Sequence, residues 1–253
     1  YHLTGDLVVP QGQTMTINDG AYLRIADQVT ITVEGTFTSG YSTISSMGGG
    51  ARWGGLVVGD NAETLVQILG SSLVEGSPLM TVSGDAEVIF SHASLARSSS
   101  AEPLLRTTNS AQGTLHLIST TFTDSASHCV ESQGSVSITM ENVEMQNCQS
   151  DAIWAQAVEL MADGLNVIDT VSLGAVEGHL SNFEGVDLVV NNLDGFEMNN
   201  LNITSVSGAD NREIIIDTAI ISGAPAVDLD NSAGSLSNLN IDCGGSGTAI
   251  TAH

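Results

Sequence analysis

One short phrase recurs along this chain, and it restricts the fold more than any other feature. TMENVEM begins at Thr139, HLSNFEG at His179, EMNNLNI at Glu197 and SLSNLNI at Ser235. Each holds an apolar residue, one spacer, an Asn and another apolar residue. Alignment on the first apolar residue makes Phe90, Leu117, Met140, Leu160, Leu180, Met198, Ile216 and Leu236 equivalent, at steps of 18 to 27 residues. Residues two before, three after and five after these anchors are mostly apolar. A period this short marks a repeat architecture whose units bury their apolar faces only by stacking.

The spacing has a geometric meaning. Side chains alternate along a strand, so positions −2 and 0 share one inward face, and +3 and +5 share another. The step of three between 0 and +3 breaks the alternation, so residues +1 and +2 must turn the chain. Position +2 holds Asn142, Asn182, Asn200 and Asn238 in four repeats. Asn tolerates left-handed backbone better than any residue except Gly, and stacked amides can form a ladder. A third apolar group follows, containing Val130, Ile153, Leu173, Leu229 and Ile250. Each repeat thus carries three short strands. Ordinary helices do not fit an 18-residue period, the leucine-rich signature is missing, and a propeller blade needs ~40 residues. The expected fold is all-β: a single-stranded parallel β-helix, a three-faced solenoid of roughly ten to twelve coils, ~4.8 Å apart.

These turn asparagines resemble those of right-handed parallel β-helix repeat proteins, including the pectate-lyase-like superfamily, where Asn commonly occupies the turn between the second and third sheets. The segments LVVPQGQTMTINDGAYLRI, VTITVEGTFTSG and ARWGGLVVG resemble the opening of uncharacterised secreted β-helix proteins with a W-G-G step. The resemblance implies a right-handed helix over residues 1–253 as one domain, with about 1–25 as cap and first coil. It leaves activity open.

Composition excludes some functions. Hydrophobic residues make up 42% and aromatics 4% of 253 residues, so the core is aliphatic. Against 29 acidic residues stand only Arg24, Arg52, Arg97, Arg106 and Arg212, with no Lys, for a formal charge of −24. Such a chain repels nucleic acid and anionic lipid. The acid excess reads as a solvated surface, with capture of divalent cations such as Ca²⁺ as the alternative. No apolar run reaches the ~18–20 residues of a membrane-spanning helix. Cys129, Cys148 and Cys243 form no zinc spacing. A Cys129–Cys148 disulfide and buried free thiols are both open. The start at Tyr1 suggests a piece of a longer secreted protein, hence an extracellular or cell-surface setting.

Lyases of the fold just named use acidic Ca²⁺ ligands and a basic residue, and polygalacturonase-like hydrolases carry N-T-D, D-D and G-H-G. Here the nearest match is Gly178-His179-Leu180, without the second Gly, so His179 is expected as an exposed turn residue. Asp228 and Asp230 flank Leu229 and should both point outward, ~6–7 Å apart, as a candidate metal or carboxylate pair against the plain reading of a solvated face. Trp154 follows inward Ile153 and should face outward, either stacking on a sugar or covering a loop. Trp53 is expected to pack the first coils. The leading functional expectation is a non-catalytic surface β-helix with a structural or adhesive role and polysaccharide or another surface protein as partner. The alternative is a polysaccharide lyase or glycoside hydrolase. Ice binding would need Thr in register, which the repeat does not show.

Overall fold

The computed structural model describes residues 1–48, 50–59, 64–99, 101–223, 226–243 and 250–252, with side chains up to residue 250. Every regular element among them is a strand, and every strand pairing is parallel. The chain is a parallel β-solenoid of about 11 turns. Three strand positions recur in each turn. Face 1 begins with Thr14–Ile17 and Thr36–Gly40. Face 2 begins with His2–Leu3 and Tyr22–Ile25, and face 3 with Leu7–Val9 and Thr30–Val33. Face 3 is a 12-stranded sheet; faces 1 and 2 share a 17-stranded one. They join because the corner between them tightens until one strand crosses it. Ser137–Cys148 pairs its first half with Thr114–Ile118 and its second half with Thr121–Ser125.

Alternation of outward, mostly polar and inward, mostly apolar side chains builds the core. On face 1, Phe90, Leu117 and Met140 stack in register; on face 2, Leu95, Phe122 and Met145 do. All six are fully buried, in a single apolar column that also holds Leu160, Leu165, Phe183, Met198, Leu201, Ile203 and Ile216. The sequence pattern misplaces one coil. Met140 pairs with Ala162, and Ile138 with Leu160, so that coil lies two residues further on than its anchor suggests. A slip of two keeps every side chain on its own face, so hydrophobic alternation does not reveal it. The last coil also departs from expectation. Leu236 is 37% exposed, and Leu239 and Ile241 are half-buried, because Gly234–Ile241 pairs on one side only among the described residues. Gly178 interrupts the inward column for a steric reason: a Cβ there would lie 2.0 Å from the Leu160 carbonyl oxygen.

Each corner has its own stack of left-handed residues. Between faces 1 and 2 it runs Gly20, Tyr41, Gly70, His92, Ser119, Asn142, Gly164, Asn182, Asn200, Thr218, Asn238, all with φ between 39° and 72°. Asn182 and Asn200 occupy neighbouring coils, as the repeat requires. Their amides are not inside the turn, as an Asn buried in a β-arc would be, but at its exposed outer edge. They still form a ladder. Asn200 Nδ2 donates to Asn182 Oδ1, and Asn182 Nδ2 donates to Asp163. Asn238 Nδ2 donates to Asp217 at 2.7 Å. Asp163 and Asp217 precede Gly164 and Thr218, so the ladder passes to a carboxylate where the turn position lacks an amide.

Polar residues inside the solenoid are paired, as burial requires. Ser39, Ser42 and Ser71 bond one another, Thr107 bonds Ser132 at 2.8 Å, and Ser98 bonds Ser125 at 3.1 Å. The Ser98–Ser125 column continues into Cys148, which is bonded to Cys129 with a Cα–Cα distance of 5.5 Å. That resolves the open choice between disulfide and thiols, and it clips adjacent coils together. Trp53 is fully buried, with Nε1 donating to the Val74 carbonyl at 2.9 Å.

Candidate functional site

The corner from face 3 to face 1 has a second left-handed stack: Gly134, Ala157, Ala175, Asn192, Asp210 and Asn231. Gly, Asn and Asp suit this conformation; alanine there costs roughly 1–2 kcal/mol. Ala157 and Ala175 accept that cost side by side at φ 57° and 51°, and both are exposed. Their methyl groups leave the surface low. A depression of about 400 Å³ lies over them, bounded by Gly113, Ser135, Ser137, Glu159 and Glu177. A second, about 270 Å³, shares Ala175 and Glu177 and continues past Asn192, Asp194, Asp210 and Arg212. Together they form an open groove that crosses successive coils rather than following one.

The groove is acidic. Glu159 and Glu177 are outward neighbours in register on face 1, and Asp194 and Asp210 extend the charge. The cation on this line is Arg212, whose Nη1 lies 3.4 Å from Asp194, both side chains being well exposed. Such a pair contributes little stability.

The face-3 flank of the same coils carries the aromatic residue. Trp154 faces outward beside buried Ile153 and Ala155, as expected, and is half-buried. Its ring stacks on His128 of the preceding coil, with centroids 6.0 Å apart and planes 29° apart. One side of the indole therefore covers a loop. The next coil offers only Ser172 in register. Below Trp154 in register lies Glu131. Arg106 donates to Glu131 from Nε at 3.1 Å and Nη2 at 2.9 Å, and contacts Glu102 at 2.7 Å. His128 Nδ1 lies 3.9 Å from Asp151. Between Trp154 and the groove stands Gln156, whose amide lies over Gly174; a Cβ on Gly174 would meet its nitrogen at 2.3 Å. The flank is thus a held polar surface with one aromatic ring.

The other expected site residues lie elsewhere. Asp228 is half-buried and Asp230 exposed, both outward beside buried Val227 and Leu229. Asp228 lines a separate small depression with Asp187 and Ser205. Among the described residues, no three His, Cys, Asp or Glu side chains are grouped to hold a metal ion. His179 is exposed on face 1 between Met161 and Glu197. Thr residues do meet in register on face 1, Thr14 with Thr36 and Thr16 with Thr38, but Leu65 and Gln67 end the array at the next coil. Sequence reasoning missed the groove. Its only trace was the recurrence of small residues, Gly134, Ala157 and Ala175, at one point of three repeats. Reading them as a corner required knowing where face 3 ends.

No protein-family model and no curated protein matches the chain. Among solved structures it is similar to the catalytic unit of a thermostable GH87 alpha-1,3-glucanase from Streptomyces thermodiastaticus strain HF3-3. The identity is 12% and the TM-score 0.37, over 98% of this chain and 64% of that one. The chain therefore spans less than two thirds of that unit, and a likeness of this size says nothing about activity.

Proposed function

We propose that this β-solenoid is a non-catalytic, extracellular binding segment that holds an extended, uncharged polysaccharide along the corner groove. The observation that carries this is the groove floor. Two adjacent alanines are kept in left-handed backbone where Asn or Gly would be cheaper, and strain of this kind concentrates at functional surfaces. An Asn at either place would raise an amide into the groove. The groove is open, long and shallow, which suits a polymer rather than a small molecule enclosed on most sides. Glu159, Glu177, Asp194 and Asp210 offer hydrogen-bond acceptors to sugar hydroxyls and repel polyuronates. The outward Trp154 lies on the flank, where an indole can pack on a sugar ring. The buried disulfide Cys129–Cys148 supports an oxidising compartment.

One observation favours the rival reading, a glycoside hydrolase: Glu159 and Glu177 are paired carboxylates on the groove wall, and that chemistry uses two carboxylates. The experiment that separates the readings uses Ala157→Asn. Asn suits the left-handed corner, so the variant should fold at least as stably as the parent, while its amide obstructs the groove. Retention on insoluble neutral glucans should fall about tenfold, the equivalent of ~1.4 kcal/mol, with no release of reducing ends by either protein. Unchanged retention would move the ligand elsewhere. Release of reducing ends that Glu159→Gln or Glu177→Gln abolishes would establish the hydrolase.

A further inference from the structure

We propose that Asn202 is the acceptor of an N-linked glycan whose first sugar lies over Ile220. Asn202-Ile203-Thr204 is the only Asn-x-Ser/Thr tripeptide in the 253 residues, and this is the pattern that N-glycosylating transferases recognise. The structure adds three observations. Asn202 points outward from face 2 and is exposed, between buried Leu201 and Ile203. Its amide has no hydrogen-bond partner among the described residues, whereas Asn182, Asn200, Asn211, Asn231 and Asn238 all bond through theirs. The residue beside it in register on the next coil is Ile220, an isoleucine 53% exposed on an otherwise polar outer column of Glu144, Asn166, Glu184, Asn202 and Asn240. In-register neighbours on parallel strands lie ~4.8 Å apart, within reach of the first sugar's apolar face.

The chemistry needs a lipid-pyrophosphate-linked oligosaccharide and an external transferase. Asn202 Nδ2 attacks the anomeric carbon, and the new N–C bond replaces the C–O bond to phosphate. The lipid pyrophosphate leaves with the bonding electrons, and the amide gives one proton to the transferase. Strand Asp194–Ile203 is hydrogen-bonded on both sides in the finished solenoid, so the transfer precedes docking of Glu213–Ile221. Afterwards the glycan projects into solvent from face 2, away from the groove at the opposite corner. The inference rests on the extracellular setting and not on the groove, so either can fail without the other.

The test is secretion of the full chain from an N-glycosylating host, followed by intact mass and peptide mapping. The glycan should sit on Asn202, persist in Thr204→Ser, and vanish in Asn202→Gln and Thr204→Ala. A secreted, folded protein with its Asn202 peptide unmodified would overturn the assignment. Enzymatic removal of the whole glycan, first sugar included, should move the Ile220 methyl resonances. Resonances that stay fixed would overturn the packing on Ile220.

Discussion

Asn200 shows what a single residue contributes to this architecture. Its backbone is left-handed at φ 55° and its amide donates to Asn182 on the preceding coil. Asn200→Ala should cost about 1–2 kcal/mol, most of it from forcing a Cβ residue with no turn preference into that conformation. Asn200→Gly should cost less, since Gly restores the backbone but not the amide link. Urea midpoints that rank Gly at or below Ala would show that left-handed backbone preference is not what Asn200 contributes. The fold should survive both, because Ala157 and Ala175 already tolerate left-handed corners. Asp217 belongs to the same corner. Hydrogen bonds from the Ser237 side chain, then the Asn238 amide and the Thr218 backbone, hold its carboxyl below the ordinary value of 3.8. A depressed folded pKa means the carboxylate favours the native state above pH 3.8, and this contribution disappears as pH falls through the lower folded value. Wild type should therefore exceed Asp217→Asn in stability at neutral pH, with the gap closing below pH 3.8. A gap that widens on acidification would contradict the assignment.

The coil is the unit above the residue, and its cohesion comes from stacking on two neighbours. Ser137–Cys148 illustrates the limits of that. Its inward residues Ile138, Met140, Val143 and Met145 are buried, yet it is also covalently tied to the preceding coil by Cys129–Cys148, across a separation of 19 residues. Closing a loop of that size stabilises by about 3 kcal/mol in the chain-entropy model. Reduction, or the double change Cys129→Ser and Cys148→Ser, should lower the unfolding free energy by about 2–4 kcal/mol. Hydrogen exchange should show the loss first in residues 126–153, because each coil contacts chiefly its neighbours. A uniform loss along the whole rod would mean the solenoid unfolds as one unit.

For the whole molecule, charge decides more than any pair of contacts. A formal charge of −24 makes the outer surface a repulsive field for polyanions, screened over ~8 Å at physiological ionic strength. Neutral glucan binding should vary little with salt, whereas any residual binding of polyuronates should appear only at high salt or with divalent cations. The Ca²⁺ expectation at Asp228 and Asp230 is tested at this scale as well. Stacked coils supply a continuous core, so excess chelator should leave the β-sheet circular dichroism signal intact. Loss of that signal would make a metal part of the fold.

Much of this was legible in the sequence because a solenoid repeats its local rules. The 18-residue recurrence of Met198 and Ile216, and the step of three that follows each, demanded two inward strands and a tight left-handed turn. Asn182, Asn200 and Asn238 are in that turn with φ of 50°, 55° and 53°. Trp154 and the Asp228–Asp230 pair face outward as strand alternation dictates. Four things were left to tertiary structure. Register between coils is invisible to alternation when the slip is two residues, so Leu160 was mistaken for Ala162. Whether an amide lies inside a turn or on its rim depends on the corner's curvature, which strand period does not encode. The choice between disulfide and thiols depended on Cys129 and Cys148 meeting at a corner 5.5 Å apart. And the groove over Ala157 and Ala175 exists only because residues one coil apart are stacked side by side: a surface running across the coils has no counterpart in a sequence that runs along them.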